Sequence, residues 1–334
     1  MKLRSRQYTD LTNYEIESYL ERNDIIIIPV GNCEVHGGLP VDCEYRMMEG
    51  YARLIAEKVD GLFLPNVSYF HPGGTQIGRG TIHMNMSAGF QYTKELAHSL
   101  LNQGFKRQIW IPSHMPTSQF LLPMITEFFD ETKVPLLFLD VLAYLSNIGA
   151  MPPMNPDPNR PSPRTASGKE VDPFNDVILA GYRLAGRLDA VPAKGEVEFP
   201  PVPEGEPTDQ LSWFPEIELL GKCAPFMTAP APFYYSKPED HFGTPVAKYT
   251  RQELEAHAEA GEEYMRELLD KARLDELVLA LRHLQVILSR LVDTFFSKIS
   301  LTMPPAPKSH NTAYVLPWEE PLHWQSRSSG YSSS

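Results

Sequence analysis

The chain has 334 residues, of which 42% are hydrophobic, and a formal net charge of −12. Its length and apolar content allow one large α/β domain or two smaller ones, and its negative charge argues against a nucleic acid or an anionic membrane as a partner. Three cysteines without framework spacing, no apolar signal segment at the N-terminus and no apolar run of membrane-spanning length predict a cytoplasmic protein with free thiols.

Predicted strands and helices alternate in the first 140 residues. Four consecutive isoleucines before Pro29 are typical of a strand that is buried on both faces. Apolar runs at 61–67, 108–112 and 134–139 predict three more strands, and helical spacing predicts helices over 10–20, 45–58, 87–103 and 118–131. This order predicts an α/β fold with a short, mostly parallel sheet that is covered by helices.

The second half of the chain is less regular. A proline-dense stretch at 151–163 predicts a surface excursion or a lid, and a second one at 199–207 frames a short strand or turn segment. Residues 249–272 predict a strongly charged helix. From Leu274, large apolar residues recur on alternating three- and four-residue steps for about three heptads, which is typical either of a helix packed on its own domain or of an oligomer seam. We therefore predict a domain over 1–272, a heptad-patterned helix over 273–300 and a Pro/Ser-rich tail over 301–334.

Potential metal ligands follow the predicted strands. Glu34, His36, Asp42 and Glu44 come directly after the isoleucine strand, and His114 follows the strand at 108–112. The carboxyl ends of strands are where open α/β sheets place their sites, so these loops can converge on one ion. We expect a ligand set of Glu34, His36, one of Asp42 or Glu44, and His114.

Mixed oxygen and imidazole donors favour certain metals. They suit Zn²⁺, Mn²⁺ or Fe²⁺ better than Ca²⁺ or Mg²⁺, which prefer shells made only of oxygen. Such an ion can lower the pKa of a bound water to about 7 and polarise a carbonyl oxygen, which is the chemistry needed to hydrolyse an amide-like C–N bond. Cys33 and Cys43 flank the ligands, and we interpret them as buried thiols without a metal role.

The stretch PVGNCEVHGGLPVDCE, residues 29–44, resembles the signature of the creatininase (creatinine amidohydrolase) family, P-x-G-S-x-E-Q-H-G-P-H-L-P-L-x-T-D. Weaker likenesses follow in the same order at 80–82, 108–114 and 241–261, so that the resemblance covers about residues 10–272. The resemblance implies a three-layer α/β/α fold, one or two divalent metals, hydrolysis of a small non-peptide amide, and a homo-oligomer, frequently a hexamer.

The resemblance also implies roles for individual residues. Carried over by position, Glu34 and His114 would hold a first metal and His36 a second. The bridging aspartate of the family falls on Glu44 if one residue is missing before Leu39, and Asp42 is the competing candidate.

This sequence also departs from the family pattern. The second histidine of H-G-P-H is absent, and Pro116 stands where a metal-binding glutamate is frequent. The catalytic segment H-A-G-E-x-E-T has its nearest counterpart at 184–190, where Leu184 replaces the histidine and Arg187 the first glutamate. His71 and His83, in loops near the expected site, are candidate replacements for the missing acid/base groups, although each can also be a structural or exposed histidine.

Three functions are compatible with this pattern. The leading one is a metal-dependent amidohydrolase that acts on a small amide or lactam with Zn²⁺ or Mn²⁺, Fe²⁺ being a further candidate. The second is a cyclase, isomerase or lyase on the same scaffold. The third is a catalytically silent oligomeric protein whose C-terminal helix and tail are its working parts.

Overall fold

The structure, a computed structural model, describes residues 3–65, 67–72, 80–113, 115–151, 161–198 and 244–302. Within these residues, four strands form one parallel sheet in the order β2-β1-β3-β4. The strands are β1 (Ile25–Val30), β2 (Leu62–Phe63), β3 (Arg107–Pro112) and β4 (Leu137–Phe138). The α-helices are α1 (Asn13–Leu20), α2 (Cys43–Lys58), α3 (Met86–Asn102), α4 (Met115–Thr132), α5 (Val141–Asn147), α6 (Asn175–Leu184), α7 (Arg251–Lys271) and α8 (Leu274–Thr302).

Helices cover both faces of the sheet, which confirms the predicted α/β fold with a short parallel sheet. Alternate residues of β1 enter different cores, Ile27 on one face and Ile26 and Ile28 on the other. Ile27 pairs with Ile109 of β3, which faces the same core. The isoleucine run has no polar alternation because neither face of this strand meets solvent.

The first core lies between the sheet and the layer of α2, α5, α6 and α7. Two glycines bring three of these helices into close contact. A Cβ added to Gly181 of α6 would lie 2.2 Å from the carbonyl oxygen of Arg46 on α2, and one added to Gly261 of α7 would lie 1.9 Å from the carbonyl oxygen of Asp176 on α6. Only glycine permits this approach, so α6 is held tightly between α2 and α7.

The second core lies between the sheet and the layer of α1, α3 and α4. The Tyr19 hydroxyl at the end of α1 donates to the carbonyl oxygen of Ile25 at 2.7 Å and ties this helix to the start of β1. Phe70 and Phe120 stack with their ring centroids 5.0 Å apart, which joins the loop after β2 to α4.

The observed elements differ from the predicted ones in four places. The strands predicted at 61–67 and 134–139 have only two residues each, and Pro65, which has no N–H to donate, follows β2 closely. The sequence prediction missed α5, which begins where Asp140 accepts a hydrogen bond from the Ala143 amide at 2.9 Å. It also missed α6, whose residues from Asn175 to Tyr182 are all buried.

By its internal contacts the chain divides into two compact units, residues 1–289 and 290–334, and the boundary lies inside α8. The first turns of α8 bury Leu274, Val278 and Leu281, whereas the side chain of Leu284 is 45% exposed. The first part of the heptad stripe thus packs on its own domain. The domain boundary predicted at 272 stays a prediction, and the stretches 152–160, 199–207 and 303–334 lie outside the described residues. Among the described helices, none combines the length and apolar character needed to span a bilayer.

Candidate metal centre

The loop after β1 is fixed at the carboxyl end of the sheet. The Gly31 amide donates to the Val67 carbonyl at 3.0 Å, and the Ser113 amide donates to the Val30 carbonyl at 2.8 Å. The start of the loop is therefore bonded on one side to the segment after β2 and on the other side to the end of β3. A Cβ on Gly31 would lie 2.8 Å from the Cα of Tyr45. The glycine therefore allows the first turn of α2, which carries Glu44, to lie against the end of the strand.

The loop then folds back on itself. Gly37 has φ +56°, and the Leu39 amide donates to the His36 carbonyl at 3.1 Å, which closes a tight turn. The Glu34 amide donates to the Val41 carbonyl at 2.8 Å. This hairpin brings Glu34 and His36 to the side of the helix that begins at Cys43.

Glu34, His36 and Glu44 form a buried cluster of potential metal ligands. One donor atom from each side chain lies within 4.8 Å of the other two, and the residues are 2%, 2% and 8% exposed. His36 Nε2 lies 3.5 Å from Glu34 Oε1 and 3.5 Å from Glu44 Oε1. Two carboxylate oxygens and an imidazole nitrogen at this spacing are a donor set that fits a divalent ion.

The electrostatic environment of His36 favours a positive charge. Burial acts to lower the pKa of this imidazole, but Cys43 and the Glu44 carboxylate oppose it and raise the pKa well above its ordinary value. A proton on His36 would occupy the same electrostatic role as a metal ion. Burial raises the pKa of both the Cys33 and Cys43 thiols, which are free and buried.

Asp42, the competing ligand candidate, makes different contacts. Its Oδ2 accepts from Arg46 Nε at 2.8 Å, and its Oδ1 accepts from the Tyr182 hydroxyl of α6. Burial is the main cause that raises the pKa of Tyr182, so this hydroxyl stays protonated and donates. The geometry favours Glu44 over Asp42 as a ligand and gives Asp42 a place in a network that fixes the start of α2.

The two histidines predicted as acid/base groups lie side by side. The ring centroids of His71 and His83 are 5.3 Å apart with the planes 72° to each other, His71 being half-buried and His83 exposed. The buried Asn32 side chain links this pair to the site loop, because its amide donates to the His71 carbonyl at 3.3 Å and its oxygen accepts from the Phe70 amide at 3.2 Å. Their catalytic role stays a prediction, and His114 lies outside the described residues.

Sequence reasoning missed three residues that position the cluster: Asn32, Arg46 and Tyr182. Arg46 follows Asp42 by four residues on a predicted helix start, a spacing that could have revealed their ion pair. Asn32 and Tyr182 gave no such signal, since their partners are distant in the chain.

Residues 9–159 match the family model of creatininase, described as creatinine amidohydrolase. The match covers 151 of the 334 residues and makes this part of the chain similar to the creatininase family. The match spans the β1 loop, the first turn of α2 and the end of β3, and so includes every residue of the cluster. No protein with curated annotation matches the chain.

Solved creatininase structures have the same fold. A creatininase variant complexed with creatine is 15% identical and aligns over 84% of this chain and 99% of its own, with a TM-score of 0.51. A creatininase described with manganese is 14% identical and aligns over 79% of this chain and 96% of its own, with a TM-score of 0.50. At this identity the likeness shows the fold alone.

Proposed function

We propose that this protein is a metal-dependent hydrolase of a small non-peptide amide or lactam, of the creatininase type. The observation that carries the proposal is the buried cluster of Glu34, His36 and Glu44 at the carboxyl end of the sheet. The cluster brings carboxylate and imidazole donors together at the spacing and burial of a metal site, which is the chemistry that a metal-dependent hydrolase requires.

Glu34, His36 and Glu44 would hold the ion, with His114 as a further ligand by family resemblance. The mixed donors favour Zn²⁺ or Mn²⁺, and Fe²⁺ is a further candidate. When bound, such an ion would act as a Lewis acid toward an amide carbonyl and would activate water.

The surrounding residues would position this set. Arg46 and Tyr182 hold Asp42 and thereby the first turn of α2, which sets the place of Glu44. Asn32 fixes the loop that presents His71. His71 and His83 would hold or release the proton that the leaving nitrogen requires, since an imidazole can both donate and accept a proton.

One observation favours a second candidate, a cyclase, isomerase or lyase on the same scaffold. Leu184 stands at the position of the catalytic histidine of the family segment, and it packs against α2, where a Cβ on Gly50 would lie 3.4 Å from its Cδ1. Arg187 at the first glutamate position is exposed. A product of unchanged mass, or one without added water, measured by mass spectrometry after turnover in H₂¹⁸O, would favour this candidate over hydrolysis.

The test of the metal site compares Glu44→Gln with Asp42→Asn in protein purified without chelators. We expect about one tightly bound ion per wild-type chain and in Asp42→Asn, and loss of most of the metal in Glu44→Gln, measured by elemental analysis. His114→Ala tests the ligand inferred from resemblance. Equal, negligible metal in all four proteins would remove the mechanism.

We also propose a homo-oligomer, with a hexamer as the state that family resemblance implies. Native mass spectrometry of the full chain measures this directly. A monomer at micromolar concentration would contradict the proposal.

A further inference from the structure

A second group of charged side chains lies at the other end of α2 from the metal cluster. There the N-terminal segment, the residues after α1 and the last turns of α2 enclose a cavity of about 560 Å³. Arg53, which lines the cavity, follows Glu44 by nine residues on α2, about 14 Å along the helix axis. The volume is in the range of small-molecule sites.

The charged lining of this cavity is predominantly cationic. It consists of four arginines and two acids: Arg4, Arg6, Arg22, Arg53, Glu57 and Asp60. This leaves a surplus of two positive charges, whereas the whole chain carries a net charge of −12. A local excess of this sign on an acidic protein attracts anions.

Ion pairs inside and outside the cavity do not remove the surplus. Asp60 pairs with both Arg6, at 2.7 Å, and Arg22. Arg4 is bound by Glu15 outside the cavity at 3.1 Å, and Glu57 is bound by Arg266 outside the cavity at 3.2 Å. Since one acid and one base are added from outside, the surplus stays at two positive charges.

Arg53 is the cation that these pairs leave uncompensated. Its guanidinium lies over the ring of Phe63, with Cζ 4.9 Å from the ring centroid, and Nη2 makes a long 3.4 Å hydrogen bond to Gln7. Its buried Nε has no hydrogen-bond partner, and no carboxylate pairs with it, within the part of the chain that the structure describes. A guanidinium without a carboxylate partner keeps its charge available to an anion that enters the cavity.

Asp60 orders two other arginines of the cavity lining. This residue has φ +52°, and the side-chain amide of Asn23 donates to its carbonyl at 2.8 Å. A non-glycine residue rarely adopts this conformation. Here it places one carboxylate between Arg6 and Arg22 and holds both guanidinium groups at the cavity.

We propose that this cavity binds a small molecule that carries two negative charges on oxygen, either a phosphate monoester or a dicarboxylate. Arg53 is the principal contact, and Arg22 and Arg6, which also line the cavity, complete the site. The planar guanidinium group donates two parallel hydrogen bonds to either kind of oxyanion, and a dianion matches the surplus of two charges. The site is distinct from the metal cluster and does not depend on amide hydrolysis.

Calorimetric titration of the full-length protein tests the proposal, with inorganic phosphate and succinate as probes at constant ionic strength. Arg53→Gln removes the uncompensated charge, and Arg164→Gln is the matched control, since Arg164 is exposed and pairs with Glu170. We expect Arg53→Gln to weaken binding of the preferred probe at least about tenfold and Arg164→Gln to leave it unchanged. The preferred probe identifies which of the two oxyanions the site takes.

Two outcomes would overturn the proposal. One is the absence of binding of either probe to wild-type protein up to about 10 mM. The other is equal affinity in wild type and Arg53→Gln, which would mean an adventitious ion only, bound elsewhere or at the metal cluster. If circular dichroism shows that Arg53→Gln does not fold, Arg22→Gln decides by the same criterion, because Arg22 is a more exposed residue of the cavity lining.

Discussion

The two ends of α2 carry opposite charge imbalances. At the N-terminal end, Glu34 and Glu44 are buried against the single imidazole of His36. At the C-terminal end, Arg53 faces a cavity in which the acids are already paired with other arginines. One end of the helix thus carries a cluster rich in carboxylates, and the other end borders a cavity rich in arginines.

The difference between these ends lies in how they are built. The anionic cluster is assembled from one short loop and the helix turn that follows it, and it is almost completely buried. The cationic cavity is assembled from side chains of three chain segments and is open to solvent at Arg4 and Arg22. A buried cluster of small donors selects a metal ion, whereas an open cluster of long side chains selects a larger polyatomic ion.

Removal of a bound metal should lower the stability of the protein more than any substitution below. The change should be confined to the N-terminal end of α2, where Glu34, His36 and Glu44 lie. A ligand at a thousand times its dissociation constant stabilises the folded state by roughly 4 kcal/mol. We therefore expect a strong chelator to lower the melting temperature by on the order of 10 °C, because two buried carboxylates then lose their cation. Differential scanning calorimetry measures the shift.

Arg53→Gln provides the control for metal removal. Its melting temperature should fall by the same amount with chelator as that of the wild type. A chelator shift that disappears in Arg53→Gln would show that the two ends are coupled, and the absence of any shift in wild type would contradict a resident metal.

Gly181→Ala should move α6 away from α2. It should thereby disturb the N-terminal end of α2, although Gly181 is not one of the candidate metal ligands. The added Cβ would lie 2.2 Å from the Arg46 carbonyl oxygen, so the helices must move apart, at a cost of about 3 kcal/mol. Gly186→Ala is the control, because nothing lies within 4 Å of its added Cβ and only its φ of +66° makes the substitution unfavourable, by about 1 kcal/mol. Urea unfolding compares the two variants, and equal losses would mean that the helix contact is not tight.

Much of the fold was predictable because its signals are local. The isoleucine run of β1 and the helical spacing after Tyr45 each reflect a periodicity that burial imposes on neighbouring residues. The loop with Glu34 and His36 was predicted for the same reason, since both its ligands and the helix turn with Glu44 lie within one strand-loop-helix unit. The choice between Asp42 and Glu44 needed the structure, because it depends on Tyr182, which is distant in the chain.

The cationic cavity could not be predicted from the sequence. Arg4, Arg22 and Arg53 lie in three separate segments, and each has the appearance of an ordinary surface arginine. The property that distinguishes Arg53 is that the nearby acids are engaged by other arginines, and such pairing is a property of the tertiary structure.

Asp176, a buried acid that belongs to neither end of α2, shows how burial destabilises a carboxylate. Burial raises the pKa of Asp176 from 3.8 to about 6, although His257 Nδ1 lies 2.8 Å from its Oδ1. The folded protein therefore binds more protons than the unfolded chain between about pH 4 and pH 6, and the free energy of unfolding falls as the pH rises through this window.

Asp176→Asn should remove this contribution. We expect the stability of wild type relative to Asp176→Asn to decrease by about 2 kcal/mol from pH 4 to pH 7, measured by urea unfolding at several pH values. His257→Gln places a neutral side chain at the partner position. The same measurement on this variant shows how much of the pH dependence comes from the contact between His257 and Asp176. Parallel pH profiles for wild type and Asp176→Asn would show that the acid does not titrate in this range.

The smallest loss of stability is expected from removal of the Tyr182 hydroxyl, which connects α6 to Asp42 at the start of α2. Tyr182→Phe removes the donor to Asp42 Oδ1, and because Arg46 still binds this carboxylate, we expect a loss of about 1 kcal/mol together with a severalfold weaker metal affinity. Tyr51→Phe is a close control: Tyr51 is equally buried, on α2 itself, and its hydroxyl has no hydrogen-bond partner within the described residues. Removing that hydroxyl should leave stability unchanged or slightly increased.

Urea unfolding measures the stability of these variants, and competition for Zn²⁺ against a chromophoric chelator measures their metal affinity. If Tyr182→Phe weakens folding but leaves metal affinity intact, the Asp42 network supports the helix packing without positioning Glu44, and the two ends of α2 are then organised independently.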